Sequence, residues 1–98
     1  MKVEIIQCLK VELSKSTTKL RPTILQAIIN LYESGKVEFT ARVVTEECLK
    51  VKSFPRDGRL PAICAGMRKA IECGGRVIGE DRDFMEFTIR FDNSLKTN

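Results

Sequence analysis

The chain has 98 residues, 43% hydrophobic and 31% charged, with a formal net charge of +4 and no histidine. That length makes one domain able to bury its own core. The composition is globular rather than disordered, and no apolar run approaches the roughly 18 residues of a membrane span. Without histidine the commonest general base is missing, as are the usual catalytic zinc sites and every Ser-His or Cys-His nucleophile pair. The sequence therefore reads as a non-enzymatic binding domain that needs no cofactor or metal. An acid within the opening Met1-Lys2-Val3-Glu4, and no small-residue cleavage site after it, predicts a cytoplasmic protein without a secretory leader.

In chain order, residues 3–13 fit two periods. Val3, Ile5, Leu9, Val11 and Leu13 stand at odd positions, as in a half-buried strand, while Ile5, Ile6, Leu9 and Leu13 also form a helical stripe. The β-branched Val3 and Val11 favour the strand. Residues 14–18 read as a loop. Pro22 then opens a helix whose stripe is Ile24, Leu25, Ile28, Leu31 and Tyr32, closed by Gly35. Lys36-Val37-Glu38-Phe39 is a short strand, and the Thr40 hydroxyl caps a second helix with Ala41, Val44 and Cys48 on one face. Ser53-Phe54-Pro55-Arg56-Asp57-Gly58 is a loop, with Phe54 expected to anchor it on the core. A third helix, capped by Asp57, runs to about Cys73 with Leu60, Ile63, Cys64, Met67 and Ile71 inward. Gly74-Gly75 ends it. A hairpin follows, with Arg76-Val77-Ile78 outward and Phe84 to Phe91 returning, its apolar face being Met85, Phe87, Ile89 and Phe91. Residues 92–98 are a polar tail.

The four cysteines, Cys8, Cys48, Cys64 and Cys73, form no C-x-x-C pair, which argues against zinc. Each reads first as a small buried hydrophobe. Cys48 and Cys64, inward on adjacent helices, are the pair to examine for a disulfide. Scarce amides (Gln7, Gln26, Asn30, Asn93 and Asn98) point towards a thermophile, where intracellular disulfides occur. Charge is segregated: residues 50–69 hold Lys50, Lys52, Arg56, Arg59, Arg68 and Lys69 against Asp57 alone, and residues 10–21 hold Lys10, Lys15, Lys19 and Arg21 against Glu12. Two concentrated basic segments suggest a polyanionic partner.

The order helix, short strand, helix, helix, hairpin over residues 20–91 resembles the winged helix-turn-helix family. Phe39-Thr40-Ala41-Arg42-Val43-Val44 is similar to the start of that family's second helix, and Leu60 to Ile78 to its recognition helix followed by Gly-Gly and the first wing strand. The resemblance implies an α+β domain of three helices and a small antiparallel sheet with a C-terminal wing, preceded by an N-terminal extension over residues 1–19. It also implies a double-stranded DNA partner and a role in transcription regulation, with the third helix in the major groove. On this helix Gly58, Ala62, Ala65, Gly66 and Lys69 fall opposite the core stripe, Lys69 best aimed, with Arg59 and Arg68 on the flanks. Small outward residues let the backbone approach a groove but leave few donors for base edges. Binding then rests on phosphate contacts by Lys50, Lys52, Arg56, Arg59, Arg68 and Lys69, with modest sequence discrimination. Arg76 and Arg82 are the wing's candidates, against an acidic tip of Glu80, Asp81 and Asp83 that reads as solvated rather than as a magnesium site.

The competing reading is a protein-interaction module in which Ala62, Ala65 and Gly66 pack against a partner. The N-terminal segment offers a route to a homodimer, by pairing as a strand with the edge of residues 84–91. The aromatic residues fall mostly on core faces, unlike a single-strand stacking platform.

Overall fold

The computed structural model describes residues 2–57, 59–80 and 87–91. Among them are four α-helices, a 3-10 turn and three strands: α1 (Lys2–Ser14), α2 (Arg21–Glu33), β1 (Glu38–Thr40), α3 (Ala41–Cys48), α4 (Leu60–Ala70), the turn Ile71–Cys73, β2 (Gly75–Gly79) and β3 (Thr88–Phe91). None of these helices is long and apolar enough to cross a membrane.

The N-terminal segment is a helix, not the strand that Val3 and Val11 favoured. Helical spacing sends Ile5 and Leu9, both fully buried, into the core with Ile6, Cys8 and Leu13 half-buried beside them. It leaves Val3 64% and Val11 52% exposed, so the two residues that suggested a strand lie on the outer face. α1 packs on α2, whose Ile24, Leu25, Ala27, Ile28, Ile29, Leu31 and Tyr32 are all buried because α1, α3 and α4 surround it. The C-terminal end of α2 is a Schellman closure. Lys36 N–H donates to the Leu31 carbonyl at 3.2 Å and Gly35 N–H to that of Tyr32 at 3.1 Å, with Gly35 at φ 111°. Thr40 caps α3 as expected, its Oγ1 accepting from Val43 N–H at 3.2 Å.

The sheet is antiparallel in the order β1-β3-β2, so β3 is central. Phe39 pairs with Ile89, Ile89 with Val77, and Phe91 with Gly75, with a bulge between Val77 and Gly79. Phe87, Ile89 and Phe91 are buried, and Phe91 sits 5.1 Å from the Tyr32 ring and 5.7 Å from that of Phe39. Strand addition by the N-terminal segment at β3 is overturned, because β1 and β2 occupy both sides of β3 and the segment itself is helical. Met85, the turn after Glu80 and the polar tail lie outside the described residues.

The disulfide joins Cys8 of α1 to Cys73 in the 3-10 turn, with their Cα atoms 5.6 Å apart across 65 residues of sequence. Cys48 and Cys64, the pair singled out from sequence, are free and buried. They point into the core, whereas the helical α1 brings Cys8 to the end of α4. The arrangement is a small α+β fold, compatible with a winged helix.

Candidate functional site

Most of the candidate residues lie between the end of α3 and the end of α4. Along α4, at about 100° per residue, Ile63, Cys64, Gly66, Met67 and Ala70 face inward and are buried. Pro61, Ala65 and Arg68 face solvent, with Ala62 and Lys69 half-buried at one flank. Gly66 therefore does not belong to the outer face on which the sequence placed it. A Cβ there would stand 2.5 Å from Ile24 Cγ2, so its hydrogen lets α2 and α4 touch.

Lys69 is not aimed outward either. Its Nζ lies 3.7 Å from Glu12 Oε1 of α1 and 3.3 Å from Glu72 Oε1, and its side chain is 39% exposed. Arg68, on the opposite flank, turns towards the sheet. Its Nη2 donates to Glu80 Oε2 at 2.6 Å, and its guanidinium stacks 4.7 Å over the Phe87 ring, a cation–π contact.

At the other end of the helix Arg59 occupies the N-cap position with left-handed backbone, φ 42°, and no side chain caps α4. Asp57, expected as the cap, instead accepts from Arg59 N–H at 3.3 Å and pairs with Arg59 Nε at 3.3 Å. Arg56 Nη1 donates to the Leu49 carbonyl at 2.9 Å and so ties the connection to the end of α3. Phe54, 3% exposed, anchors the connection on the core. Lys52 is exposed and has no ion pair among the described residues. Lys50 pairs with Glu47 at 3.1 Å and borders a cleft of about 360 Å³ shared with Leu13, Pro22, Gln26 and Asn30. It thus lies beside α2 rather than beside the outer face of α4.

Arg76 lies on the outward side of β2, in register with Arg90, which in turn is in register with Glu38 and donates to its carboxylate at 3.1 Å. Arg82 falls outside the described residues. The structure thus brings Arg59, Ala62, Ala65 and Arg68 to one helix, sets Lys52 and Arg56 in the connection before it, and draws Lys50 and Lys69 aside.

Sequence reasoning did not assign Lys19 and Arg21. Lys19 lines the same cleft as Arg59, and Arg21 lies beside Lys69 and Lys15. The available signal was the basic run of residues 10–21, whose proximity to α4 follows only from the packing of α1 and α2. Neither free thiol suits nucleophilic chemistry. Burial, then the Glu47 charge, pushes the Cys48 thiol up to about 12, and burial also raises that of Cys64. Among the described residues no three His, Cys, Asp or Glu side chains gather as a metal site. Comparison with protein-family models, curated proteins and solved structures finds no match for this chain.

Proposed function

We propose that the chain is a winged-helix module that binds double-stranded DNA, acting in transcription regulation without a catalytic step or a cofactor. The observation that carries this reading is the outer face of α4. Pro61 and Ala65 are small, exposed and uncovered among the described residues, and Arg59 and Arg68 stand at the ends of that face. A helix with a low-relief face can enter a groove while flanking cations meet the phosphates. The sheet order β1-β3-β2, with β2 following α4 after the 3-10 turn, supports the winged-helix assignment.

The ion pairs set the strength of such binding. Arg68 and Lys69 must exchange Glu80, Glu12 and Glu72 for phosphate, so each contributes less than a free cation. With Lys52, Arg56 and Arg59, whose exposed pair with Asp57 yields easily, as the principal phosphate contacts, raising salt from 50 to 200 mM weakens binding by about 40-fold, from a slope near 0.9 per contact. The test is fluorescence anisotropy of a labelled mixed-sequence duplex at those two salt concentrations. Glu80→Gln, which releases Arg68, should strengthen binding. No binding at low salt by either protein overturns the proposal.

The same ion pairs favour a second reading, a protein-interaction module, because they neutralise the flanks of an otherwise small apolar face. Indifference to duplex, together with a stable complex with another protein lost on Ala65→Glu, selects that reading.

A further inference from the structure

We propose that the cleft between the start of α2, the α3–α4 connection and the start of α4 is a binding site for a small organic anion with an apolar body. The inference does not depend on duplex binding. The cleft encloses about 590 Å³, within the range of small-molecule sites. Its walls are Leu20 before α2, Phe54 and Pro55 in the connection, and Pro61 on α4, while Lys19 and Arg59 are its cations. No acidic residue lines it, although Asp57 pairs with Arg59. Lys19 is exposed and has no ion pair among the described residues. Thr23 and Ser53 add hydroxyls that have no hydrogen-bond partner among the described residues.

The walls are fixed in advance. Phe54 is 3% exposed and packed into the core, so its ring does not swing out to fill the space. Pro55 and Pro61 hold their own φ angles, and Arg59 keeps its left-handed backbone at φ 42°. The Arg59–Asp57 pair is exposed on both sides, at 57% and 64%, and such a pair is weak enough to yield the guanidinium to a carboxylate. An inorganic anion would leave the apolar wall unused, and a neutral apolar molecule would leave Lys19 without a counter-charge and Arg59 with only its exposed Asp57 pair. A molecule carrying a carboxylate on a ring or short chain satisfies both parts, with charge-assisted hydrogen bonds at one end and apolar burial at the other.

The probe is 2-naphthoate, compared with neutral 2-naphthamide and with inorganic phosphate, by calorimetric titration and backbone amide NMR of the full chain. Naphthoate should bind about tenfold tighter than the amide, the difference expected of a charge-assisted hydrogen bond. Shifts should centre on residues 19–23, 53–55 and 59–62. Lys19→Gln and Arg59→Gln should each weaken naphthoate severalfold while leaving the amide unchanged, and their unfolding midpoints establish that both variants fold. Equal binding of naphthoate and naphthamide overturns the proposal. So do displacement of naphthoate by an equal concentration of phosphate, shifts centred elsewhere, or no binding at about 10 mM, far weaker than a formed site gives.

Discussion

The two ends of α4 are held in opposite ways. At the C-terminal end Cys73 is bonded to Cys8 of α1, Lys69 reaches Glu12 on the same helix, and Arg68 reaches Glu80 beyond β2, so three contacts from α1 and the end of β2 pin the same turn. At the N-terminal end the contacts of the basic residues are local. Arg59 meets Asp57 two residues away, Arg56 meets the Leu49 carbonyl, and an open cleft takes the place of packing. Cations tied across elements are part of the scaffold, because moving them disturbs the packing of α1 or the sheet. Cations tied locally can exchange partners at little cost. The candidate binding residues should therefore be sought at the N-terminal end, although the helix is basic at both ends.

Breaking the pinned end should have the largest effect. The Cys8–Cys73 bond closes a loop of 65 residues of sequence separation, worth on the order of 4 kcal/mol by chain entropy. Urea unfolding with and without reductant should show most of that loss. Thiol counting under denaturing, non-reducing conditions should find two free thiols, Cys48 and Cys64. Four free thiols would remove the disulfide from the pinned end altogether. The middle of the helix comes next. Gly66→Ala places a methyl 2.5 Å from the side chain of the fully buried Ile24, and forcing α2 from α4 should cost about 2 kcal/mol. An unchanged midpoint would show that the two helices do not touch there.

What the sequence disclosed follows the same division between local and distant causes. α2, the Thr40 cap, the end of α4 and the short strand before α3 are written in neighbouring residues: Pro22, Gly35, Thr40, Gly74. Each acts within a few positions of itself, so each could be read. The N-terminal helix was obscured because Val3, Ile5, Leu9, Val11 and Leu13 imitate alternation. The residue that breaks the imitation is Gln7, a polar side chain that a strand would have turned inward and that the helix leaves exposed. The disulfide could not be read, since Cys8 meets Cys73 only once α1 is helical and docked on α2. Gly66 was misplaced because a helical wheel counts glycine as small without knowing that Ile24 requires the space. The basic character of α4 was plain from Arg59, Arg68 and Lys69, but their partners Glu12 and Glu80 belong to other elements, and so the loss of Lys69 from the outer face was invisible.

Charge reversal separates the two ends in binding. Arg59→Glu should weaken duplex binding by about tenfold or more, as replacing a phosphate contact by a repulsive charge does. Lys69→Glu should weaken it less and should lower stability instead, because it sets a third acid beside Glu12 and Glu72. Anisotropy and urea unfolding on both variants measure the contrast, and equal losses of affinity would dissolve it. Alkaline pH probes the core that both ends share. Burial raises the Cys48 thiol to about 12, so the unfolded chain ionises it first as pH climbs above its ordinary value. That contribution is intact below the ordinary thiol range and disappears as pH rises towards about 12, and Cys48→Ala should flatten this part of the stability–pH curve.

The smallest expected change is a gain. Arg59 holds φ 42° and ψ 57°, a region that costs a residue with a Cβ about 1–2 kcal/mol. Glycine adopts it freely, though it gives the unfolded chain extra freedom worth about 0.4–1 kcal/mol. Arg59→Gly should therefore stabilise the fold by about 0.5–1 kcal/mol, since the exposed pair with Asp57 contributes little. The matched change at the pinned end, Arg68→Gly, lies within the helix and gives up the Glu80 and Phe87 contacts, so it should destabilise by about 1 kcal/mol or more. Opposite signs in urea unfolding would show that the chain maintains a strained backbone at the open end, where Arg59 meets the cleft. A loss at Arg59 equal to that at Arg68 would place Arg59 in ordinary helical geometry and remove strain from the account of the cleft.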